Sequence, residues 1–218
     1  MKTYLKPIVS AYLSFFTVTA IWITGGLLNL IPWTKPAGEP ISISLVQGNI
    51  PQSLKWSPEH VQLSLDRYEK LTEPLWGKNK LIIWPEAAIP LSLLSATDYI
   101  EMLDAKAKKN DSELILGIPI PSEKNDGYYN GIVTLGKKKQ VYIKRHLVPF
   151  GEYTPSLPLF TQALNFMKIP LPNMMPGKMD QRPLEFNHVK ILTSICYEIA
   201  FPELINTNKS SLRISPYF

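Results

Sequence analysis

Residues 189–198 read VKILTSICYE, and this stretch contains the only cysteine of the 218-residue chain. Val189-Lys190-Ile191-Leu192 predicts a buried strand, and α/β folds present catalytic groups just beyond the carboxyl ends of strands. A lone cysteine is nevertheless more often a small buried apolar residue than a nucleophile. A catalytic thiol needs a base or a cation nearby, because its ordinary pKa of about 8.5 leaves little thiolate at neutral pH. If Cys196 is a nucleophile, we expect a carboxylate and a lysine at the ends of other strands.

The rest of the chain alternates between apolar strands and amphipathic helices. The pattern predicts strands at 41–46, 81–84, 114–117, 185–186 and 189–192, helices at 58–76 and 98–110, and a hairpin of 129–135 with 140–144. The fully apolar strand 81–84 is typical of a central position with both faces covered. A proline-rich loop runs from Val148 to about Pro176. This order of elements predicts an α/β fold in which helices cover a sheet.

Composition and charge argue against two classes of function. The net charge is +5, but the lysines at 137–139 and 106–109 are typical of a hairpin turn and a solvated helix face, so we do not expect nucleic-acid binding. His60, His146 and His188 lie far apart and lack cysteine partners, so no metal site is predicted. A single cysteine also excludes an intrachain disulfide.

The N-terminal segment from Ile8 to Ile31 contains no charged residue. A helix of this length crosses a hydrocarbon core of roughly 30 Å, so we predict a transmembrane helix at about residues 8–31 within a region 1–40 that ends in a connector. A secretory signal peptide is the alternative, but its apolar core is shorter, about 7–15 residues. Lys2 and Lys6 place the N-terminus in the cytoplasm and residues 41–218 on the other side.

Two further predicted strand ends carry residues that suit a cysteine nucleophile. Glu86 follows the apolar strand 81–84, and Lys144 ends the hairpin. Taken singly, Glu86 is equally typical of a helix start and Lys144 of an exposed strand end. Together with Cys196 they form a set that contains a base, a cation and a nucleophile.

Several motifs accompany these three residues. They are VQGNIPQ (46–52), KW (55–56), WPE (84–86), YN (129–130), Tyr142, KRHLVPFGEYTP (144–155) and SICYE (194–198). With these motifs the chain resembles the nitrilase, or carbon–nitrogen hydrolase, superfamily and, within it, the bacterial apolipoprotein N-acyltransferases. The run 144–153 is specific to the acyltransferase branch. The resemblance covers about residues 41–205 and implies a nitrilase-like α-β-β-α sandwich as the catalytic domain, preceded by the transmembrane helix.

The resemblance also implies roles for individual residues. Glu86 is expected to act as general base, Cys196 as the acyl-carrying nucleophile and Lys144 as the group that stabilises the oxyanion. Glu152 is expected to hold Lys144 or to share in proton handling, and Glu198 to do likewise beside the nucleophile.

Trp56 and Tyr197 are expected to belong to the same site, although Trp56 is also typical of a packed loop aromatic residue. By resemblance the reaction moves a fatty acyl chain from a phospholipid, through a cysteine thioester, to the N-terminal amine of diacylglyceryl-cysteine in an apolipoprotein. The implied partners are the phospholipid acyl donor, the diacylglyceryl-modified apolipoprotein and the membrane. Neither a cofactor nor a metal is required. The implied location is the bacterial inner membrane, with the catalytic domain on the periplasmic side.

The sequence departs from this family pattern at both ends. Members are expected to have several membrane helices before the domain and one after it, and a further apolar strand after Pro202-Glu203-Leu204-Ile205. Because residues 206–218 do not match that strand, we expect a truncated product whose domain is incomplete after about residue 205 and which is inactive or poorly folded alone. Two alternatives remain: a membrane-tethered amidase of the same superfamily and a non-catalytic fragment.

Overall fold

The computed structural model of the protein describes residues 5–36, 38–122, 127–153 and 174–206. The chain divides into two compact units, Met1–Glu39 and Pro40–Phe218. Most of the predicted proline-rich loop, at 154–173, lies outside the described residues, as does the segment 207–218 that departs from the family pattern.

The first unit contains one helix, α1 (Leu5–Asn29), among its described residues. Its segment Val9–Asn29 is long and apolar enough to cross a membrane, judged by length and composition alone. The helix ends as the indole N–H of Trp33 donates to the Leu28 carbonyl at 2.9 Å. It coincides with the apolar span predicted at about residues 8–31.

The second unit is built on a five-stranded mixed sheet with the order β1-β2-β3-β4-β5. The strands are β1 (Ile43–Leu45), β2 (Leu81–Ile83), β3 (Glu113–Pro121), β4 (Tyr128–Leu135) and β5 (Val141–Ile143). The pairs β1–β2 and β2–β3 are parallel, whereas β3–β4 and β4–β5 are antiparallel. Parallel neighbours need long crossovers, and the two crossovers here contain helices.

The remaining elements surround this sheet. The helices are α2 (Gln52–Lys55), α3 (Val61–Thr72), α4 (Thr97–Lys109) and α5 (Pro202–Asn206), with 3-10 helices at Pro58–His60, Glu73–Leu75 and Cys196–Ala200. A separate antiparallel hairpin consists of β6 (Leu184–Phe186) and β7 (Val189–Ile191).

Both faces of the sheet are buried, and alternating residues of β2 and β3 show this directly. Ile82 and Leu114 belong to the apolar cluster that includes α3 and α4 residues such as Leu103. Their neighbours in sequence, Leu81 and Ile115, belong to a second apolar cluster on the other face, together with Leu184 and Phe186 of β6. Because both faces are covered, these strands read as continuous apolar runs. Helices, mixed sheet and hairpin therefore stack in layers, which confirms the predicted α/β class.

Two predicted elements differ from the structure. The helix expected over 58–76 is α-helical only over Val61–Thr72, with a 3-10 turn at each end. Pro58 and Pro74 explain this, because proline lacks an N–H donor and disfavours helical backbone in the preceding residue. The strand expected at 189–192 pairs only with β6 among the described strands, and so lies outside the main sheet.

Candidate active site

Glu86 lies just beyond the end of β2, in a turn held closely against β3. The Trp84 N–H donates to the Ile115 carbonyl at 2.8 Å, which extends the pairing of the two strands up to this turn. Gly117 permits the close approach, because a Cβ there would lie 2.7 Å from the Cα of Glu86. β3 therefore sets the position of the predicted base.

Lys144 follows β5 and is 1% exposed. Its N–H donates to the Asn130 carbonyl at 2.8 Å, and its own carbonyl accepts from the Gly177 N–H at 2.8 Å. The Nζ atom lies 2.8 Å from Glu152 Oε1 and 3.6 Å from Glu86 Oε1. Burial of an ammonium group is costly unless the group is paired, so these carboxylates are what make the position tenable.

Glu152 is held by its own loop as well as by Lys144. The Val148 N–H donates to Glu152 Oε2 at 2.8 Å, and the Glu152 N–H donates back to the Val148 carbonyl at 2.9 Å. Burial by itself would raise the pKa of Glu152, but hydrogen bonds from Lys144, Val148 and Asn130 outweigh it and hold this pKa below its ordinary value. Glu152 is therefore an ionised counter-charge for the buried lysine at neutral pH.

Asn130, on β4, connects the two carboxylates. Its Nδ2 donates to Glu86 Oε1 at 2.6 Å and to Glu152 Oε1 at 3.0 Å. Sequence reasoning noted Asn130 as part of the YN motif but assigned it no role. The sequence signal that could have found this role is that Asn130 lies on β4. This strand pairs with β5, and β5 ends directly before Lys144.

Glu198 is fully buried and accepts hydrogen bonds from several donors. They include the N–H of Ile195 at 2.8 Å, the hydroxyl of Tyr142 at 2.9 Å and the N–H of Arg145 at 2.7 Å. Burial and the Glu198 carboxylate together raise the pKa of the Tyr142 hydroxyl. Glu198 thus attaches the 3-10 helix at Cys196–Ala200 to the end of β5. Within the described residues its contacts are to these groups rather than to Lys144.

Cys196 opens that 3-10 helix, and its side chain is exposed. Among the described residues, no hydrogen bond joins its thiol to Glu86 or to Lys144. The neighbouring Tyr197 is partly exposed, and its ring packs edge-on at 5.0 Å from that of Phe201. The structure therefore joins Glu86, Lys144 and Glu152 directly and places Cys196 on an adjoining segment.

The turns that carry Glu86, Glu152 and Cys196 also contain strained backbone conformations. Seven described non-glycine residues have positive φ, and four of them are the tolerant types Asn49, Asp111, Asn187 and His188. The others are Ala87 (φ 46°), Phe150 (φ 62°) and Cys196 (φ 52°), for which this conformation is unfavourable. Ala87 adjoins Glu86, and Phe150 lies two residues before Glu152. Strained residues of this kind concentrate at functional sites.

A cavity of about 430 Å³ opens beside the carboxylates and is lined by Lys55, Trp56, Glu86, Tyr128, Asn130 and Glu152, among others. The Trp56 side chain is half exposed. Lys55 Nζ donates to the backbone carbonyl of Glu86 at 3.1 Å. Burial lowers the pKa of Lys55 more than the nearby Glu86 raises it. Cys196 is not among the described residues that line this cavity.

This arrangement can support proton transfer and anion stabilisation. A carboxylate at a cavity wall suits a general base, and a buried ammonium group suits the stabilisation of an oxyanion. Among the described residues, no three His, Cys, Asp or Glu side chains are grouped as metal ligands.

The chain belongs to the carbon-nitrogen hydrolase family, whose profile matches residues 42–211. Within that family it is similar to curated proteins named apolipoprotein N-acyltransferase. The protein from Coxiella burnetii is 40% identical over 186 residues, which is 85% of this chain and 38% of that protein. The protein from Nitrosomonas europaea is 39% identical over 188 residues, covering 85% and 37%. The chain thus spans little more than a third of the length of these relatives.

Solved structures share the fold. A CN-hydrolase superfamily protein from Xanthomonas campestris has a TM-score of 0.51 at 22% identity, covering 76% of this chain and 56% of that one. A nitrilase-superfamily member from Saccharomyces cerevisiae has a TM-score of 0.52 at 21% identity, covering 78% and 60%. These likenesses agree with the mixed sheet and its helix layer.

Proposed function

We propose that this chain carries the acyl-transfer site of a lipoprotein N-acyltransferase. The reaction moves a fatty acyl chain from a phospholipid to the N-terminal amine of a diacylglyceryl-cysteine. The observation that carries the proposal is the network of Glu86, Asn130 and Glu152 around the buried Lys144 at a cavity wall, in a chain about 40% identical to proteins named apolipoprotein N-acyltransferase.

The first half-reaction forms a thioester on Cys196. Glu86 takes the thiol proton, and the thiolate attacks the ester carbonyl of the phospholipid. Lys144 stabilises the oxyanion, a contribution worth about 3 kcal/mol for one such donor. The intermediate then collapses, and the departing lysophospholipid oxygen takes the proton from Glu86. Contacts of this kind often tighten only when substrate binds, so the separation of Cys196 from Glu86 is compatible with this step.

The second half-reaction transfers the acyl group to the lipoprotein. The α-amine attacks the thioester carbonyl and gives up a proton to Glu86, while Lys144 again stabilises the oxyanion. The Cys196 thiolate leaves and regains its proton from Glu86. An amide is more stable than a thioester, so the residues present complete the cycle without an added energy source.

The other predicted residues support these steps. Glu152 holds Lys144 in place through the 2.8 Å contact, and Glu198 fixes the turn that carries the nucleophile. Trp56, half exposed at the cavity, contacts the phospholipid, and Tyr197, partly exposed next to Cys196, belongs to the same site. The helix α1 anchors the chain in the bacterial inner membrane, with the catalytic domain on the periplasmic side.

Mass spectrometry of lipoprotein N-termini tests the proposal. The full chain is expressed in cells depleted of their own lipoprotein N-acyltransferase, beside a Cys196→Ala variant. We expect lipoproteins to gain one amide-linked acyl chain with the wild-type chain and none with the variant. A phospholipid with an alkyne-tagged acyl chain should also label the wild-type chain through a hydroxylamine-sensitive bond.

The outcomes separate the alternatives. Lipoproteins that keep a free amine, with no label on the protein, would refute acyl transfer by this chain and favour a non-catalytic fragment. Labelled Cys196 with only free fatty acid released would favour a membrane-tethered amidase-like hydrolysis. Full activity in the Cys196→Ala variant would refute the thioester mechanism.

A further inference from the structure

We propose that Asn130 is a positioning residue for the proton transfer, because it fixes one carboxylate oxygen of the base against the buried lysine and leaves the other oxygen open. This inference rests on the proposed function, since it assigns Glu86 the role of base. Asn130 is 8% exposed and is the third residue of β4, which pairs with strands on both sides, so its side chain starts from a rigid backbone.

The contacts of Asn130 form a closed ring. Nδ2 donates to Oε1 of Glu86 at 2.6 Å and to Oε1 of Glu152 at 3.0 Å. Lys144 Nζ lies 3.6 Å and 2.8 Å from these same two oxygens. The amide and the ammonium group therefore contact the same pair of oxygens: the amide by two hydrogen bonds, and the lysine by a hydrogen bond to Glu152 and an ion pair with Glu86. The Asn130 carbonyl also accepts from the Lys144 N–H at 2.8 Å, so the amide and the lysine are fixed relative to each other by backbone as well as side chain.

The chemistry of the neighbours determines how the amide is oriented. Ionised carboxylates only accept hydrogen bonds, so an amide oxygen turned towards Glu86 and Glu152 would face two like partial charges. The NH2 group has two hydrogens, and the ring uses both. Among uncharged side chains, only asparagine and the longer glutamine supply two donors from one nitrogen atom.

The two carboxylate oxygens of Glu86 have different surroundings in this ring. Its Oε1 is occupied by the amide and the lysine, whereas Oε2 has no hydrogen bond within the described residues. The Glu86 side chain is 36% exposed and lines the cavity, so Oε2 is the oxygen available to a thiol or an amine. Asn130 thus prevents rotation of the carboxylate and keeps one oxygen free for the proton.

The ring also offsets the repulsion between the carboxylates of Glu86 and Glu152. The two carboxylates share one buried ammonium group, with Lys55 near Glu86 on the cavity wall, and like charges close together disfavour ionisation of both. The amide dipole adds donors to both without adding charge. Glu152 depends on it in part, since the Asn130 hydrogen bond is one of the causes that lower its pKa.

The experiment compares the full chain with an Asn130→Leu variant of nearly the same shape. Formation of the acyl-enzyme on Cys196 is followed with tagged phospholipid between pH 4 and pH 8, and the pKa of Glu152 is followed by NMR of carboxyl-labelled glutamate. We expect acylation at neutral pH to slow about 100-fold with little change in the phospholipid concentration for half-maximal rate. The acid limb of the pH–rate profile should move to higher pH, and the pKa of Glu152 should rise because it loses one of the donors that lower it.

A Thr134→Val variant provides the matched control. Thr134 is a buried polar residue on the same strand, and its hydroxyl bonds to Lys138 and Gln140 rather than to the carboxylates. It should lose stability without a change in the acid limb. If Asn130→Leu does not fold, Asn130→Asp decides the question, because it keeps the shape, replaces the NH2 group by a carboxyl oxygen and should be slower still.

The two proposals fail separately. If the wild-type chain acylates Cys196 and Asn130→Leu keeps its rate, acid limb and Glu152 titration, the positioning role is refuted and the acyl-transfer proposal stands. If the wild-type chain forms no acyl-enzyme, the acyl-transfer proposal is refuted. The Glu152 titration then decides whether the ring exists, because it needs no turnover: an unchanged pKa of Glu152 in the variant refutes the ring.

Discussion

Replacement of Lys144 by methionine tests how the buried charges of the site depend on one another. The lysine is 1% exposed and lies within 3.6 Å of two carboxylates, one of which, Glu152, has a side chain only 16% exposed. Methionine fills a similar volume, so the change removes charge without a large cavity. Glu152 keeps the Val148 and Asn130 donors but loses its counter-ion.

The expected loss of stability is large and depends on pH. Removal of one partner from a buried ion pair costs about 3–5 kcal/mol, because the other charge stays buried. The pKa of Glu152 is lowered in the folded state, so its ionisation stabilises the protein above its unfolded pKa of about 4.3. That contribution is lost as the pH falls through the folded pKa. The difference between wild type and variant should therefore be greatest near pH 7 and smaller at pH 4.

Urea unfolding of the full chain in detergent micelles, followed by tryptophan fluorescence at both pH values, measures the effect. Lys106→Met serves as the control, because Lys106 pairs with Glu69 at the surface, where both side chains are about one third exposed. Exposed pairs contribute about 0–1 kcal/mol. Two results would refute the reasoning. One is that Lys144→Met lowers the free energy of unfolding at pH 7 no more than Lys106→Met does. The other is that its effect is the same at pH 4 as at pH 7.

Three further predictions concern the turns around the site. Glu198→Gln should lower the free energy of unfolding by about 1–3 kcal/mol in urea titrations, because the amide places a donor against donors; no change would contradict the bracing role. Gly117→Ala should destabilise the protein by about 1–3 kcal/mol and slow acylation, because the new Cβ would lie 2.7 Å from Glu86 Cα. Gly151→Ala is the control, since its new Cβ meets nothing closer than 3.4 Å, and equal melting temperatures for the two variants would contradict the prediction. Trp56→Ala should leave stability within about 1 kcal/mol but raise the phospholipid concentration for half-maximal acylation, and an unchanged concentration would exclude substrate contact.

Local pattern was sufficient for the elements that position the site. Uninterrupted apolar runs predicted the strands around Leu81–Ile83 and Glu113–Pro121, because burial on both faces removes alternation. Helix ends were less predictable: Pro74 stops α3 earlier than the apolar periodicity indicated. The pattern predicted the hairpin that β4 and β5 form, but it did not predict the pairing between strands far apart in sequence or that β7 joins β6 instead of the main sheet.

The sequence by itself determined the α/β class, the apolar N-terminal helix and the strand-end locations of Glu86 and Lys144. Residue order and hydrophobic period contain that information, since each reflects local backbone geometry and burial. Only the tertiary structure decided that Asn130 bridges two carboxylates and that Glu198 braces the cysteine turn against Arg145. These contacts join residues 22 to 53 positions apart, and hydrogen-bond partners at such separations depend on strand pairing and layer packing, which no local pattern specifies.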